Sequence, residues 1–226
     1  GDRAKVLSSG KNDPYDTYAY LKKVQDDKGI ESIYFFLLGD RGEFDKNVPH
    51  TSKELQRMIN QISRYAKIGI HPSYGSYLQP KQLEKEIERL NSITENEVSL
   101  SRKHFLKLSI PETYRNLEKA GITNDYSMGY ADNIGFRASI CTPYTFYDVL
   151  QNKDLNVKIH PFAYMDGTLN EYLGLSIADA KEKVASLKQQ VKEVGGVFMG
   201  IWHNETVNDK GIWKGWREVY EVGLDS

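Results

Sequence analysis

Short apolar runs alternate with helical patterns along most of the chain, and this alternation limits the fold more than any other feature. Each run is typical of a buried strand, and in chain order the runs are ESIYFFLLG, KIGIH, EVSLS, NVKIHPFAYM and VFMGIWH. Strands separated by helices predict a parallel sheet with helices outside it, either as a barrel or as an open sheet. We therefore expect an α/β fold in one domain that spans residues 1–226.

The helices carry their own boundary signals. Asp13 and Pro14 predict the start of the first helix, and Gly29 predicts its end. Ser176 and Asp179 resemble a capping box at the start of the clearest helix. Three more helices are predicted by the segments TSKELQRMINQISRYA, PKQLEKEIERLNSI and PETYRNLEKAG.

Charge and cysteine content exclude several classes of function. The 226 residues include 30 basic and 31 acidic ones, so the net charge of −1 lacks the basic footprint of a nucleic-acid-binding protein. Cys141 is the one cysteine, so neither an intramolecular disulfide nor a cysteine metal cage can form. No apolar run approaches the ~20 residues that a membrane-spanning helix needs. No signal peptide is visible, which favours a cytoplasmic location.

Polar residues follow the predicted strands at positions that helical periodicity does not explain. They are Asp40, Arg41, His71, Arg102, His104, Asp166, His203, Asn204 and Glu205. Taken singly, a histidine at a strand end is often structural, Asp40 can be a turn former, and Arg102 can be an ion-pair partner. Because the carboxyl ends of parallel strands meet at one rim, the set as a whole predicts an active site there.

Two further groups are candidates for substrate contacts. The polar segment NDYSMGYADNIGFRASICTPY contains Asp125, Tyr126 and Arg137, and it is either a substrate-facing loop or an ordered loop with a structural role. His160 precedes a proline inside a predicted strand, and we interpret it as structural. Three tryptophans could stack on sugar faces or pack in the core, and they are Trp202, Trp213 and Trp216.

Four segments, in order along the chain, resemble the motifs of one known family. IYFFLLGDRG resembles a second-strand segment often written A-T-F-F-V-x-G, and IGIHPSYGS resembles H-[ST]-x-x-H with His71 on the first histidine. SLSRKHFLKL resembles F-R-x-P-Y-G, with Arg102 on the arginine and His104 on the proline. MGIWHNE resembles L-x-H, with His203 on the histidine. These are motifs of the polysaccharide deacetylases, carbohydrate esterase family 4 or the NodB-homology domain, and the chain is most similar to a divergent bacterial branch.

The resemblance implies a distorted (β/α) barrel of about seven strands that removes acetyl groups from a sugar or polysaccharide. In that family an aspartate and two histidines hold a divalent metal, usually zinc, which polarises the acetyl group and activates a water. His71 would then be a metal ligand, His203 the general acid for the leaving amine, and Arg102 the cation that orients the base. The implied enzyme is a hydrolase of carbon–nitrogen bonds, and the implied partner is an acetylated carbohydrate.

The sequence departs from the family in two places. The opening T-F-D-D-G strand, which supplies the metal aspartate and the base, is not visible, and residues 2–12 do not resemble a buried strand. Either the chain is truncated at its N-terminus or the protein lacks those acids. Gly75 stands where the second metal histidine belongs, and Ser76 beside it is a poor zinc ligand. The candidates for a substitute ligand or a substrate contact are His104, Asp166, Tyr74, Asp125, Arg137 and Trp202.

Two functions therefore stay open at the level of sequence. One is a metal-dependent deacetylase-like hydrolase, and the other is a carbohydrate-binding barrel that has lost the metal site and does not cleave its ligand. A site with one histidine and carboxylates would be harder in character than the family's site and could prefer a divalent ion other than zinc. We expect little deacetylase activity from the 226-residue chain standing alone, because the segment with the paired aspartates is not visible.

Overall fold

The structure is a computed structural model that describes residue 13 and residues 15–225. The chain divides into two compact units. We call residues 32–130 and 136–162 the sheet unit, and the other described residues the second unit. The expectation that no buried strand lies in residues 2–12 falls outside the described residues.

Helices and strands alternate along most of the described chain, as the sequence predicts. In chain order they are α1 (Tyr18–Lys28), β1 (Ile33–Phe36), α2 (Lys53–Ile62), β2 (Lys67–Ile70), α3 (Pro80–Thr94), β3 (Leu100–Ser101), α4 (Glu112–Lys119), β4 (Asn124–Asp125), β5 (Tyr144–Asp148), β6 (Lys153–Ile159), β7 (Tyr164–Met165), α5 (Ile177–Glu193), β8 (Gly200–Ile201) and α6 (Arg217–Leu224). None of these helices combines the length and apolar character that a membrane crossing needs, within the part of the chain that the structure describes.

The sheet unit contains a six-stranded sheet in the order β1-β2-β3-β4-β6-β5. The first five strands in this order are parallel, and β5 is antiparallel to β6 at the edge. The register places Ile70 beside Ser101 and Ser101 beside Asp125, so the ends of three neighbouring strands lie level with one another. The mostly parallel sheet confirms the predicted α/β class and places the segments after β2, β3 and β4 side by side.

Local sequence signals account for the helices of the sheet unit. The side chain of Ser52 caps α2 by accepting a hydrogen bond from the Leu55 amide, and Pro80 occupies the first turn of α3. The predicted apolar stripes face inward, because Ile59 and Ile62 of α2 are buried. In α3 the buried side chains are Leu83, Glu86, Ile87, Leu90 and Ile93, and Glu86 is the one charged member.

The second unit has a short parallel pair, β7 with β8, and three helices. Ser176 caps α5 as predicted, since its hydroxyl oxygen accepts from the Asp179 amide at 3.1 Å. The buried apolar residues of α5 are Ala180, Val184 and Val191, while Val194 lies beyond the helix and is exposed. The pair of strands ends at Met165 and Ile201, directly before two of the predicted site residues.

The first helix begins later than the sequence predicts. It begins at Tyr18, whereas Asp13 and Pro14 were expected at its start. The carboxylate of Asp13 accepts from the Tyr15 amide at 2.9 Å, and its carbonyl accepts from the Asp16 amide at 3.0 Å, so Asp13 forms a separate turn. Pro14 lies outside the described residues, and Gly29 ends the helix in a left-handed conformation as expected.

The segment NVKIHPFAYM is two strands rather than one. Strand β6 ends at Ile159, β7 begins at Tyr164, and the two belong to different sheets. Pro161 has no amide hydrogen to continue a ladder, which explains the break. The predicted strand VFMGIWH is likewise reduced to the two residues of β8, and Val197 before it is exposed.

Gly69 in β2 is expected to be required for stability. A Cβ atom there would lie 2.5 Å from the Phe35 ring and 3.0 Å from the Leu100 carbonyl oxygen. We predict that Gly69→Ala lowers the free energy of unfolding by about 2 kcal/mol, because a packed sheet face cannot move away cheaply. Urea unfolding at constant m-value measures this change.

Gly42→Ala is the matched control, because its Cβ would meet nothing closer than 3.8 Å. This variant should stay within about 0.5 kcal/mol of the parent. Equal unfolding midpoints for the two variants would contradict the packing argument.

Candidate functional site

The backbone ladder of the sheet unit continues past the strand ends and brings three predicted site residues together. The His71 amide donates to the Phe36 carbonyl at 2.9 Å, and the Arg102 amide donates to the Ile70 carbonyl at 3.0 Å. The Nδ1 atom of His71 also donates to the carbonyl oxygen of Arg102. The ring of His104 lies 5.0 Å from that of His71, centroid to centroid. His71, Arg102 and His104, which follow two different strands, therefore lie together.

Asp45, which the sequence did not single out, joins this group from the loop after β1. Its side chain is buried and accepts hydrogen bonds from the amides of Tyr74 at 2.8 Å and Gly75 at 2.9 Å. The Nδ1 atom of His104 lies 3.0 Å from the same carboxylate and donates to it. Asp45 therefore contacts the very position, Gly75, where the resembling family carries its second metal histidine.

A buried lysine lies beneath these residues. Lys103 is 4 % exposed, and its ammonium donates to the Ser76 hydroxyl at 3.0 Å. Burial lowers the pKa of Lys103 to about 8, although the charges of Glu86, Asp125 and Asp45 act in the opposite direction. The charge of Lys103 is therefore supported by three carboxyl groups rather than by one direct ion pair.

Glu86 and Asp125 are the fully buried acids of this network. Glu86 accepts from the amide and the hydroxyl of Ser73, and Asp125 accepts from the amide of Ser127 at 3.0 Å and its hydroxyl at 2.9 Å. Burial raises the pKa of Asp125 to about 6, although the bonds from Ser127 and the charge of Lys103 act to lower it. Asp125, predicted as a substrate contact, is thus covered by protein and supports the floor of the site.

Three aromatic rings cover the outside of the same group of loops. Phe44, Tyr74 and Phe105 contact one another with ring centroids 4.5–5.8 Å apart. Phe105 also contacts the His104 ring at 4.5 Å, and the ammonium of Lys107 lies 3.6 Å from the centre of the Tyr74 ring. We call Phe44, Tyr74 and Phe105 the aromatic shelf. Of the three, the sequence predicted only Tyr74 as a candidate.

The backbone under the shelf is strained. Phe105 and Leu106 have φ angles of +56° and +50°, in the left-handed region that residues with a Cβ rarely adopt. Each such residue costs on the order of 1–3 kcal/mol and persists only where the surroundings impose it. The turn from His104 to Leu106 is therefore held in an unfavourable conformation next to the polar group.

A second histidine–carboxylate pair lies in the second unit, at the ends of β7 and β8. Asp166 is fully buried and accepts from the amide of His203 at 2.6 Å, the hydroxyl of Thr206 at 2.6 Å and the amide of Gly167 at 2.7 Å. The Nδ1 atom of His203 lies 2.9 Å from Asp166 Oδ1. Burial acts to raise the pKa of Asp166, but the charge of His203 and these hydrogen bonds outweigh it and lower the pKa.

This pair has the geometry of an oriented imidazole. Because the carboxylate accepts from Nδ1, the other ring nitrogen, Nε2, is the one directed away from Asp166. The side chain of His203 is 41 % exposed to solvent, whereas that of Asp166 is fully buried. The sequence named both residues, but it offered Asp166 as a substitute metal ligand and not as the partner of His203.

The remaining candidates occupy different settings. Trp202 is half-buried, and its indole nitrogen donates to the Tyr164 hydroxyl at 3.3 Å, which favours a packing role. Arg137 is exposed in the segment between β4 and β5. Asp40 forms exposed ion pairs with Arg89 at 2.6 Å and Lys85 at 3.0 Å, and the Arg89 hydrogen bond is the main cause that lowers its pKa to about 2.

A cavity of about 480 Å³ lies elsewhere in the sheet unit. It is lined by residues of α2 and α3 and of the segments next to them, among them His50, Gln56, Lys85 and Arg89. Two of its cations are already paired with Asp40, and none of the strand-end residues lines it. The cavity therefore does not belong to the candidate site.

The described residues do not fit the metal site that the resemblance implies. Among residues 13 and 15–225, no group of three or more His, Cys, Asp or Glu side chains is placed to hold a metal ion. His71 and His104 each use Nδ1 for a protein contact, so Nε2 is the ring atom that could bind a metal, and the Asp45 carboxylate accepts three hydrogen bonds. The divalent metal and the role of His71 as its ligand stay predictions.

No protein-family model and no curated protein matches the chain. A solved structure does: a presumed polysaccharide deacetylase from Mycobacterium smegmatis has a similar fold, with a TM-score of 0.64 and 17 % sequence identity. The match covers 93 % of this chain and 71 % of that chain. At this identity the likeness shows the fold alone, and it agrees with the mixed α/β architecture of the described residues.

Asp125 should make stability fall as pH rises. Its folded pKa of about 6 lies above the ordinary value of 3.8, so the folded state resists ionisation, and stability is lost between about pH 4 and pH 6. Replacement Asp125→Asn should remove this loss, worth on the order of 2–3 kcal/mol for a fully buried group. Urea unfolding of both proteins at pH 4, 5, 6 and 7 measures the difference.

Asp148→Asn is the control of opposite sign. Asp148 is buried, and the hydrogen bonds from the Arg115 guanidinium are the first cause that lowers its pKa. The parent should therefore lose stability relative to this variant as pH falls below about 4, which urea unfolding at pH 2 and pH 3 measures. The same pH slope in both variants would contradict the assignment for Asp125.

Proposed function

We propose that the chain is a deacetylase-like hydrolase that acts on an acetylated carbohydrate. The observation that carries the proposal is the Asp166–His203 pair, a partly exposed imidazole held by a fully buried carboxylate at the ends of two parallel strands. The similarity in fold to the Mycobacterium smegmatis protein also supports a deacetylase-like hydrolase. We also infer that the strands close into the distorted (β/α) barrel that the resemblance implies.

His203 would be the general acid of the reaction. A leaving amine needs a proton as its bond to the acetyl carbon breaks, and an oriented imidazole can supply it from Nε2. Asp166 would act as a positioning residue, since its five hydrogen-bond contacts fix the ring plane of His203 and the Nδ1 proton. A lowered pKa keeps Asp166 ionised at neutral pH, as this role requires.

Arg102 would orient a polar group in the sheet unit, as the resemblance implies. Its backbone carbonyl accepts from His71, and its guanidinium lies 5.5 Å from the centre of the Phe35 ring. No step is assigned to a metal, because the described residues do not fit one. The substrate would be a sugar with an N-acetyl or O-acetyl group.

A carbohydrate-binding module without catalysis is the second candidate. It is favoured by the lack of a three-donor metal group among the described residues and by the exposed aromatic rings beside His104. Such a module would hold the sugar and release no acetate. Both functions require binding of a carbohydrate, but only the hydrolase would release acetate from it.

His203→Ala in the whole natural protein should separate them. If His203 is the general acid, kcat for acetate release from an N-acetylated chito-oligosaccharide should fall about 10²- to 10⁴-fold, while KM and the unfolding midpoint change little. Enzymatic detection of acetate measures the turnover. His50→Ala is the matched control, a histidine in the separate cavity of the sheet unit.

Unchanged turnover in His203→Ala would contradict the assigned role. Oligosaccharide binding without acetate release by the parent protein would favour the binding module instead.

A further inference from the structure

The aromatic shelf exposes large apolar side chains in one place. Phe44 is 44 % exposed and Phe105 is 59 % exposed, and Tyr74 between them is half-buried. Scattered exposed rings need no explanation, but three rings in mutual contact form a defined apolar surface. Such a surface beside a polar group is a common setting for ligand recognition.

One carboxylate gathers the three rings. Phe44 directly precedes Asp45, the amide of Tyr74 donates to Asp45, and Phe105 directly follows His104, whose Nδ1 atom contacts Asp45. Each ring is thus attached to a backbone segment that this buried carboxylate fixes. The shelf is therefore preorganised, which lowers the entropy cost of binding a ligand there.

The left-handed backbone at Phe105 and Leu106 also indicates that the shelf is preorganised for a ligand. An unfavourable turn persists at positions where the surroundings impose it, and such turns concentrate at ligand sites. Here the turn accompanies an exposed phenylalanine ring that packs against His104 instead of entering the core.

The shape of the shelf suits one sugar ring. Phe105 stands almost perpendicular to Phe44 and Tyr74, with interplanar angles of 81° and 87°, so the cluster has a floor and a wall. A pyranose ring has an apolar C–H face and a rim of hydroxyl groups. The exposed rings of Phe44 and Phe105 can contact its face, and the ammonium of Lys107, which lies over the Tyr74 ring, is a polar partner for its rim.

We propose that Phe44, Tyr74 and Phe105 form a stacking subsite for one pyranose ring of the acetylated carbohydrate. This proposal rests on the proposed function and adds to it the residues that hold the sugar. The chemistry required is an aromatic floor for the sugar face and donors at its edge.

The test measures sugar binding separately from turnover. The whole natural protein and its Phe105→Ala and Phe105→Trp variants are titrated with N-acetylated chitotetraose by calorimetry, and acetate release is followed in the same samples. Phe105→Ala should weaken binding about tenfold and raise KM with little change in kcat, and Phe105→Trp should restore binding. Tyr147→Ala is the control, an exposed ring on β5 outside the shelf, and it should bind like the parent.

Each other outcome has a definite meaning. Equal sugar affinity in the parent and in Phe105→Ala overturns the subsite. If the parent still releases acetate in that case, the proposed function stands. Neither binding nor acetate release by the parent overturns both. Loss of self-association in Phe105→Ala, seen by sedimentation without a change in sugar affinity, would make the shelf a contact between copies and would also overturn the subsite.

Discussion

The carboxylate of Asp45 is the interaction on which the candidate site of the sheet unit depends. It joins the loop after β1 to the turn after β2, through the amides of Tyr74 and Gly75, and to the segment after β3, through His104. Past the strand ends, single backbone bonds link these segments, such as the bond from the His104 amide to the Pro72 carbonyl at 3.1 Å. A buried carboxylate that accepts from donors in two such segments reinforces these backbone bonds.

Below Asp45 the site rests on buried charges instead of an apolar core. Lys103, Glu86 and Asp125 are each at most 4 % exposed, and each has a protein hydrogen-bond partner. Networks of this kind are costly when one member is removed, because the remaining charge is left buried without compensation. A site built on such a network is rigid, and rigidity is what the strained turn at Phe105 requires of its surroundings.

The sequence predicted the elements whose apolar residues recur at a regular spacing. Helices α2, α3 and α5 carry apolar residues at helical spacing, and the cap of α5 at Ser176 was visible in the letters alone. Strand β5, from Tyr144 to Asp148, alternates exposed and buried residues, yet it is too short and too polar for the sequence analysis to have assigned it as a strand. Strands of two residues, such as β4, have no period to detect, and their existence depends on partners that are distant in sequence.

The candidate site was predicted where the position of a residue follows from the topology. His71, Arg102 and His203 each come directly after or close behind a strand, so an ordered set of strands was enough to select them. Asp45 lies nine residues after Phe36, the last residue of β1, and nothing in GEFDKN separates it from Glu43. Its role arises only from hydrogen bonds to segments near residues 74 and 104, which sequence patterns do not report.

The glycine at position 75 belongs to the hydrogen-bond network of Asp45. A carboxylate has about four positions at which it can accept hydrogen bonds, and two amides and an imidazole occupy three of them at Asp45. Gly75 contributes one of these amides, and a Cβ there would come within 3.5 Å of the same carboxylate. The position that holds an imidazole ligand in the resembling family is thus used here to fix an acid. With three of these positions occupied, Asp45 orients the ring of His104, and the same arrangement, a buried acid that orients an imidazole, recurs at Asp166 and His203.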